Sequence, residues 1–131
     1  MSNVEWLDRD NGIVLLKFAN GATMDDFLVD YAEFAEMINT AQRKTYTIVD
    51  FLDIRSMPTH AMSYFPQLAR LTPRGDKRSE VIALVSQRTL ITIVTEIFAK
   101  VYPDFKDRFV YFASVQQALD FIHERIRQTA A

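Results

Sequence analysis

The sequence predicts an α/β fold with a mostly parallel sheet of about five short strands, an N-terminal antiparallel hairpin and four helices. Short β-branched and aromatic runs, such as "YTIVDFLDI" and "VIALV", alternate with longer runs whose apolar residues recur at helical spacing. Only three glycines and four prolines interrupt the 131 residues, so most of the chain should be regular. Alternating strands and helices predict right-handed crossovers and helices on both faces of the sheet. We expect one domain over residues 1–131.

The first two strands are predicted as a hairpin in "VEWLDRDNGIVLLKFA". Asp10, Asn11 and Gly12 supply the turn, because asparagine and glycine tolerate positive φ. The second strand is apolar on both faces, which predicts a position inside the sheet.

The first predicted helix begins after Thr23 and extends to about Gln42. The Thr23 hydroxyl can cap the backbone, and Asp25 and Asp26 suit the positive end of the helix dipole. Its apolar residues at helical spacing are Phe27, Tyr31, Phe34 and Ile38.

The second helix is predicted in "THAMSYFPQLARLT". Pro66 removes a backbone donor, so the helix either kinks there or begins near Ser63. The predicted apolar stripe consists of Met62, Phe65, Ala69 and Thr72.

The third helix, "SQRTLITIVTEIFAKVY", is predicted from its length and from the series Leu90, Val94, Ile97 and Val101. Its apolar residues cover more of the circumference than one core-facing stripe requires. The surplus can pack under a neighbouring helix, line a lipid-sized cavity, or form a dimer surface. The candidate interface residues are Ile91, Val94, Ile97, Phe98 and Val101.

The last helix is predicted in "SVQQALDFIHERI", where Ser114 and Gln117 have the spacing of a capping box. Its predicted apolar stripe consists of Ala118, Leu119, Ile122 and Ile126.

Composition argues against several kinds of function. The chain has no cysteine, and its two histidines, His60 and His123, lie on different elements, so we expect no metal site and no cofactor. No glycine-rich phosphate loop is present. The net charge of −2 favours no nucleic-acid partner, and no apolar run is long enough to span a membrane. The N-terminal residues lack a signal pattern, so we expect a cytoplasmic protein.

The candidate ligand site lies at the carboxyl ends of the predicted parallel strands, where open α/β sheets bind ligands. Hydroxyl and cationic groups there could hold an anion, or Ser56 or Thr59 could simply cap the next helix. The candidate residues are Asp53, Arg55, Ser56, Thr59, His60, Ser86 and Arg88.

The order of elements, together with "YTIVDFLDI", "VIALVSQ" and "FVYFASVQQALDFI", resembles the SpoIIAA-like, or STAS/Sec14-type, bacterial domains. A final strand and helix in that superfamily carry a Phe-x-Ser/Asp-x-x-x-Ala-Leu pattern, which Phe112, Ser114, Ala118 and Leu119 match. The resemblance implies a SpoIIAA-like sandwich. It offers two roles, a serine-phosphorylation switch in anti-sigma-factor antagonists and apolar-ligand binding in the Sec14-like relatives.

The switch motif of those antagonists, Asp-Ser-Ser-Gly-Leu, aligns with Pro58 to Met62 when the strands are registered through Val49 and Asp50. His60 then occupies the phosphoacceptor position, so the serine switch does not carry over, although Thr59 or Ser56 could substitute. We therefore expect a non-enzymatic regulatory or protein-interaction module. It could form a homodimer or bind another protein partner. The alternative is a binding or carrier domain for a lipid or small apolar ligand between helices and sheet.

Overall fold

The computed structural model describes residues 3–130, without the side chain of Ala130. The strands are β1 Val4–Asp8, β2 Ile13–Lys17, β3 Tyr46–Asp50, β4 Ile82–Val85 and β5 Phe109–Phe112. The helices are α1 Met24–Thr40, α2 Phe65–Leu71, α3 Thr89–Val101 and α4 Val115–Ala130. Short 3-10 turns occupy Ala61–Tyr64, Gly75–Lys77 and Pro103–Phe105.

The five strands form one sheet in the order β1-β2-β3-β4-β5. β1 pairs antiparallel with β2, and every other pair is parallel. The predicted fold class is therefore confirmed, including the N-terminal hairpin. Gly12 lies in its turn with a φ of 72°, the conformation for which glycine was expected there.

The two faces of the sheet are covered unequally. Successive connections in one direction place their helices on one face, and α1, α2 and α3 pack there against Val14, Leu16, Val49, Ile82 and Leu84. α4 alone covers the other face, through Ala118 and Ile122. Strand residues therefore alternate between a three-helix layer and a one-helix layer.

α1 begins with the predicted cap. The Thr23 hydroxyl accepts from the Asp26 backbone N–H at 3.1 Å, and the Asp26 carboxylate accepts from the Thr23 N–H at 3.0 Å. This capping box closes the first turn of the helix. The helix ends at Thr40, two residues before the predicted end.

α4 also begins as predicted, with Ser114 Oγ accepting from the Gln117 N–H at 3.2 Å. The Gln117 side chain accepts from Ala113 rather than from Ser114. The expected stripe faces the sheet, with Ala118 and Ile122 fully buried.

α2 begins at Phe65, which places Pro66 in the first turn, where a missing N–H has no cost. A 3-10 turn precedes it, so the helix has no kink at Pro66 and begins near Ser63, as the second of the two alternatives predicted. Met62 lies in that turn and is 53% exposed. Including Met62 in the apolar stripe was wrong, because the 3-10 turn does not continue the helical spacing.

Candidate binding site

An apolar cavity of about 120 Å³ lies between the sheet and the three-helix layer. Its floor consists of strand residues, and its walls come from α1, α2, α3 and the segment 51–61. Its lining residues include Phe18, Tyr31, Met57, Ala61, Ile82 and Phe98. Partly exposed lining residues lie on segment 51–61, α2 and α3, so the cavity reaches the surface there.

Aromatic packing closes the cavity between α2 and α3. Phe65 of α2 meets Phe98 of α3 edge to face, with ring centroids 5.0 Å apart. Phe98 also contacts Phe105 and Phe109 below it. α2 packs more closely on α1 than on α3, and the Phe65–Phe98 contact joins α2 to α3.

The few polar groups in the wall already have partners. Tyr31 Oη lies 2.5 Å from Thr72 Oγ1, and burial raises the pKa of the Tyr31 hydroxyl to about 12. Thr95 Oγ1 donates to the Ile91 carbonyl at 2.9 Å. A cavity whose polar groups are satisfied has no strong site for water, so it favours an apolar occupant.

A second, polar cleft adjoins the cavity at the carboxyl ends of β2 and β3. The segment 51–61 forms one side and the connection from β2 to α1 forms the other. The two spaces share Phe18, Met24, Ile54, Met57 and Pro58. Together they offer an apolar interior with a polar entrance.

Side-chain contacts hold the segment after β3 in place. The buried Ile54 side chain anchors it in the core, and Arg88 Nε donates to the Ile54 carbonyl at 2.7 Å. Asp50 Oδ1 accepts from the Leu52 N–H at 2.9 Å. The cleft therefore has one wall held from both β3 and the start of α3.

His60 adopts the left-handed conformation, with φ 60° and ψ 28°, which is uncommon for a residue other than glycine. It precedes the 3-10 turn, and no side chain caps that turn. The expectation that Ser56 or Thr59 caps the helix was therefore wrong. Both hydroxyls remain available in the cleft.

The structure brings together only part of the predicted ligand site. Arg55, Ser56, Thr59 and His60 line the cleft. Asp53 instead forms an ion pair with Lys17 at 2.8 Å.

The other two predicted site residues form a local turn. Ser86 Oγ accepts from the Arg88 N–H at 3.0 Å, and neither residue lines the cleft. Arg88 contributes only through its hydrogen bond to Ile54.

The opposite wall, from Asn20 to Met24, was missed. The order of the strands, rather than any residue type in this loop, could have located this wall. Neighbouring parallel strands end at the same edge of a sheet, so the loop after β2 must face the loop after β3.

The candidate interface on α3 divides between two faces. Ile91 and Phe98 are buried in the core, and Val94 is partly buried against it. Ile97 and Val101 face outward. Treating all five as one interface was therefore wrong, because the predicted series did not fix which side of the helix meets the sheet.

Among residues 3–130, no cluster of histidine and carboxylate side chains could hold a metal ion. Within the same residues, no helix has the length and apolar character needed to cross a membrane.

Comparisons of the chain with protein-family models, curated proteins and solved structures found no match.

Proposed function

We propose that this protein binds a small, mostly apolar ligand in the cavity between the sheet and helices α1 to α3. The main support for the proposal is the cavity itself, which has a volume of about 120 Å³ and is walled by apolar side chains. Such a void loses packing contacts, and a ligand that fills it regains them. The polar cleft at its entrance gives the ligand a route to solvent.

The cavity volume favours a small ligand over a lipid. An engineered protein cavity of about 150 Å³ stays dry and binds benzene, so the present cavity suits an apolar group of about six carbons or fewer. A long acyl chain exceeds that volume. Of the two apolar ligands expected from the sequence, the smaller one is therefore proposed.

The polar groups of the entrance support binding rather than catalysis. No side-chain hydrogen bond or ion pair engages the His60 imidazole within residues 3–130. Ser63 donates to the His60 backbone carbonyl instead of to the ring. A relay for activating a hydroxyl nucleophile needs a base within hydrogen-bond reach, and this arrangement does not provide one.

The arrangement of elements also supports the resemblance to SpoIIAA-like domains, which remains part of the proposal. Between their two roles, the cavity favours the apolar-ligand binding of the Sec14-like relatives. The switch position, occupied by His60, lies at the cleft as a lining residue.

Ligand binding predicts that 1-hexanol titrates the protein at a single site. Burying about 150 Å² of apolar surface contributes about 4 kcal/mol, which corresponds to a dissociation constant of about 1 mM. Ala61 lines the cavity beside the entrance, and Ala61→Phe should fill it. We expect that variant to lose hexanol binding in an NMR chemical-shift titration.

Met62→Phe is the matched control, because Met62 is the next residue, is exposed and does not line the cavity. It should bind hexanol as the wild type does. Val94→Phe fills the cavity from α3 and repeats the test if Ala61→Phe folds poorly. Hexanol binding unchanged in a folded filled variant, or absent in the wild type, contradicts the proposal.

A homodimer through α3 is the second candidate function, and a stripe of exposed apolar side chains on that helix supports it. Leu90, Ile93, Ile97 and Val101 are each between 38% and 57% exposed. With Val94, the stripe contains the alternating four- and three-residue spacing of a helix–helix seam. Four partly exposed side chains offer much less than the roughly 800 Å² per partner of a stable interface, so the dimer should be weak.

Ile97→Glu should abolish this self-association, because it places a charge in the middle of the stripe. Light scattering over a protein concentration series measures the mass. The control is Glu96→Gln, on the same helix but outside the stripe, which should leave the mass unchanged. A wild-type protein that stays monomeric throughout the series contradicts the dimer.

A further inference from the structure

The polar cleft at the entrance is continuous with the cavity, and the Arg55 guanidinium lines it. Ser56, Thr59 and His60 line it as well, and none of the described residues that line it is an aspartate or a glutamate. From this arrangement we infer that the ligand is a small monocarboxylate. Its apolar tail fills the cavity and its carboxylate lies in the cleft. The inference rests on the proposed function and specifies the ligand class.

The Arg55 guanidinium is exposed, and no hydrogen bond or ion pair engages it within the part of the chain that the structure describes. Nearby charges are otherwise committed. Lys17 and Asp53 neutralise each other at 2.8 Å. Asp25 Oδ1 accepts from the Tyr64 hydroxyl at 2.6 Å, and Asp26 is held in the capping box. Arg55 is therefore the cationic side chain of the cleft that has no partner among the described residues.

A carboxylate is the group that these side chains fit best. A guanidinium presents paired donors that match the two oxygens of a carboxylate. Ser56 and Thr59 add hydroxyl donors on the same segment. Because the cleft shares five residues with the apolar cavity, including Met57 and Ile54, one molecule can occupy both spaces.

Hexanoate, 1-hexanol and hexylamine share one tail and differ in head group. They therefore distinguish binding of the tail in the cavity from recognition of the carboxylate in the cleft. Wild-type protein should bind hexanoate about tenfold more tightly than hexanol, because charge-assisted hydrogen bonds exceed neutral ones in strength. Hexylamine should bind most weakly. Arg55→Gln should remove the preference for hexanoate and leave hexanol binding unchanged.

Arg70→Gln is the matched control, since Arg70 is exposed on α2 and does not line the cleft. It should leave the binding of all three molecules unchanged, as measured by the same NMR titration. Three results would overturn the carboxylate inference while leaving the proposed function intact. They are equal affinities for hexanoate and hexanol, tightest binding of hexylamine, or an Arg55→Gln variant that loses affinity equally for hexanoate and hexanol. If none of the three binds the wild type, the proposed function fails with it.

Discussion

Phe98→Ala should destabilise the protein by about 3–5 kcal/mol, the usual cost of removing a buried aromatic ring. Phe98 is only 7% exposed. Its ring lies 4.9 to 6.1 Å, between centroids, from those of Phe65, Tyr102, Phe105 and Phe109. The substitution also enlarges an existing cavity, so the neighbours have little to collapse onto. Urea unfolding followed by circular dichroism measures the change.

Ile97→Ala, one position earlier on the same helix, is the matched control. Ile97 is 38% exposed, so its truncation should cost less than about 1 kcal/mol. The pair therefore reports which face of α3 meets the sheet. Equal losses of stability at the two positions, or a larger loss at Ile97, would show that α3 does not turn the Phe98 side toward the sheet.

Gly12→Ala should destabilise the protein by about 3 kcal/mol or more, for two separate reasons. Gly12 has a φ of 72°, which an alanine adopts only at a cost. A Cβ there would also overlap the Lys44 carbonyl oxygen, which is backbone and cannot swing aside. The Gly12 carbonyl accepts from the Tyr46 N–H at 2.8 Å, so movement would disturb the start of β3.

Gly21→Ala separates these two reasons. Gly21 has a similar φ of 80°, but a Cβ there would meet nothing within 4 Å. It should therefore cost only the conformational share, about 1–2 kcal/mol. Thermal unfolding of the two variants gives the comparison, and equal stability losses would show that the close approach to Lys44 is absent.

The fold was predictable because local pattern and global arrangement agree. β4, "IALV", is buried on both faces, as a wholly apolar run predicts for an internal parallel strand. The Thr23 and Ser114 caps were recognisable from short-range chemistry alone. These features depend on residues close in sequence, so they can be recognised from a single amino-acid sequence.

The orientation of α3 was not predictable in the same way. Its apolar residues cover so much of the circumference that several stripes satisfy the same periodicity. The sheet and Phe65 select the side carrying Ile91 and Phe98, and Leu90 is left half exposed. Tertiary packing made that choice, and no local signal in the helix records it.

The candidate site was half predictable. Arg55, Ser56, Thr59 and His60 follow a recognisable strand, so the rule for strand ends located them. The apolar cavity was expected only in outline, as a space between helices and sheet, because its wall combines residues as distant in sequence as Phe18 and Phe109. Whether such side chains meet or leave a space between them depends on packing in three dimensions.

Locating a bound probe within the protein tests the proposed ligand site. NMR spectra of the protein saturated with 1-hexanol should show nuclear Overhauser contacts between the hexyl chain and the methyl groups of Val49, Ile82 and Leu84, which line the cavity floor. Contacts with Leu90 and Ile97 on the exposed stripe of α3 instead, or none at saturation, would contradict it.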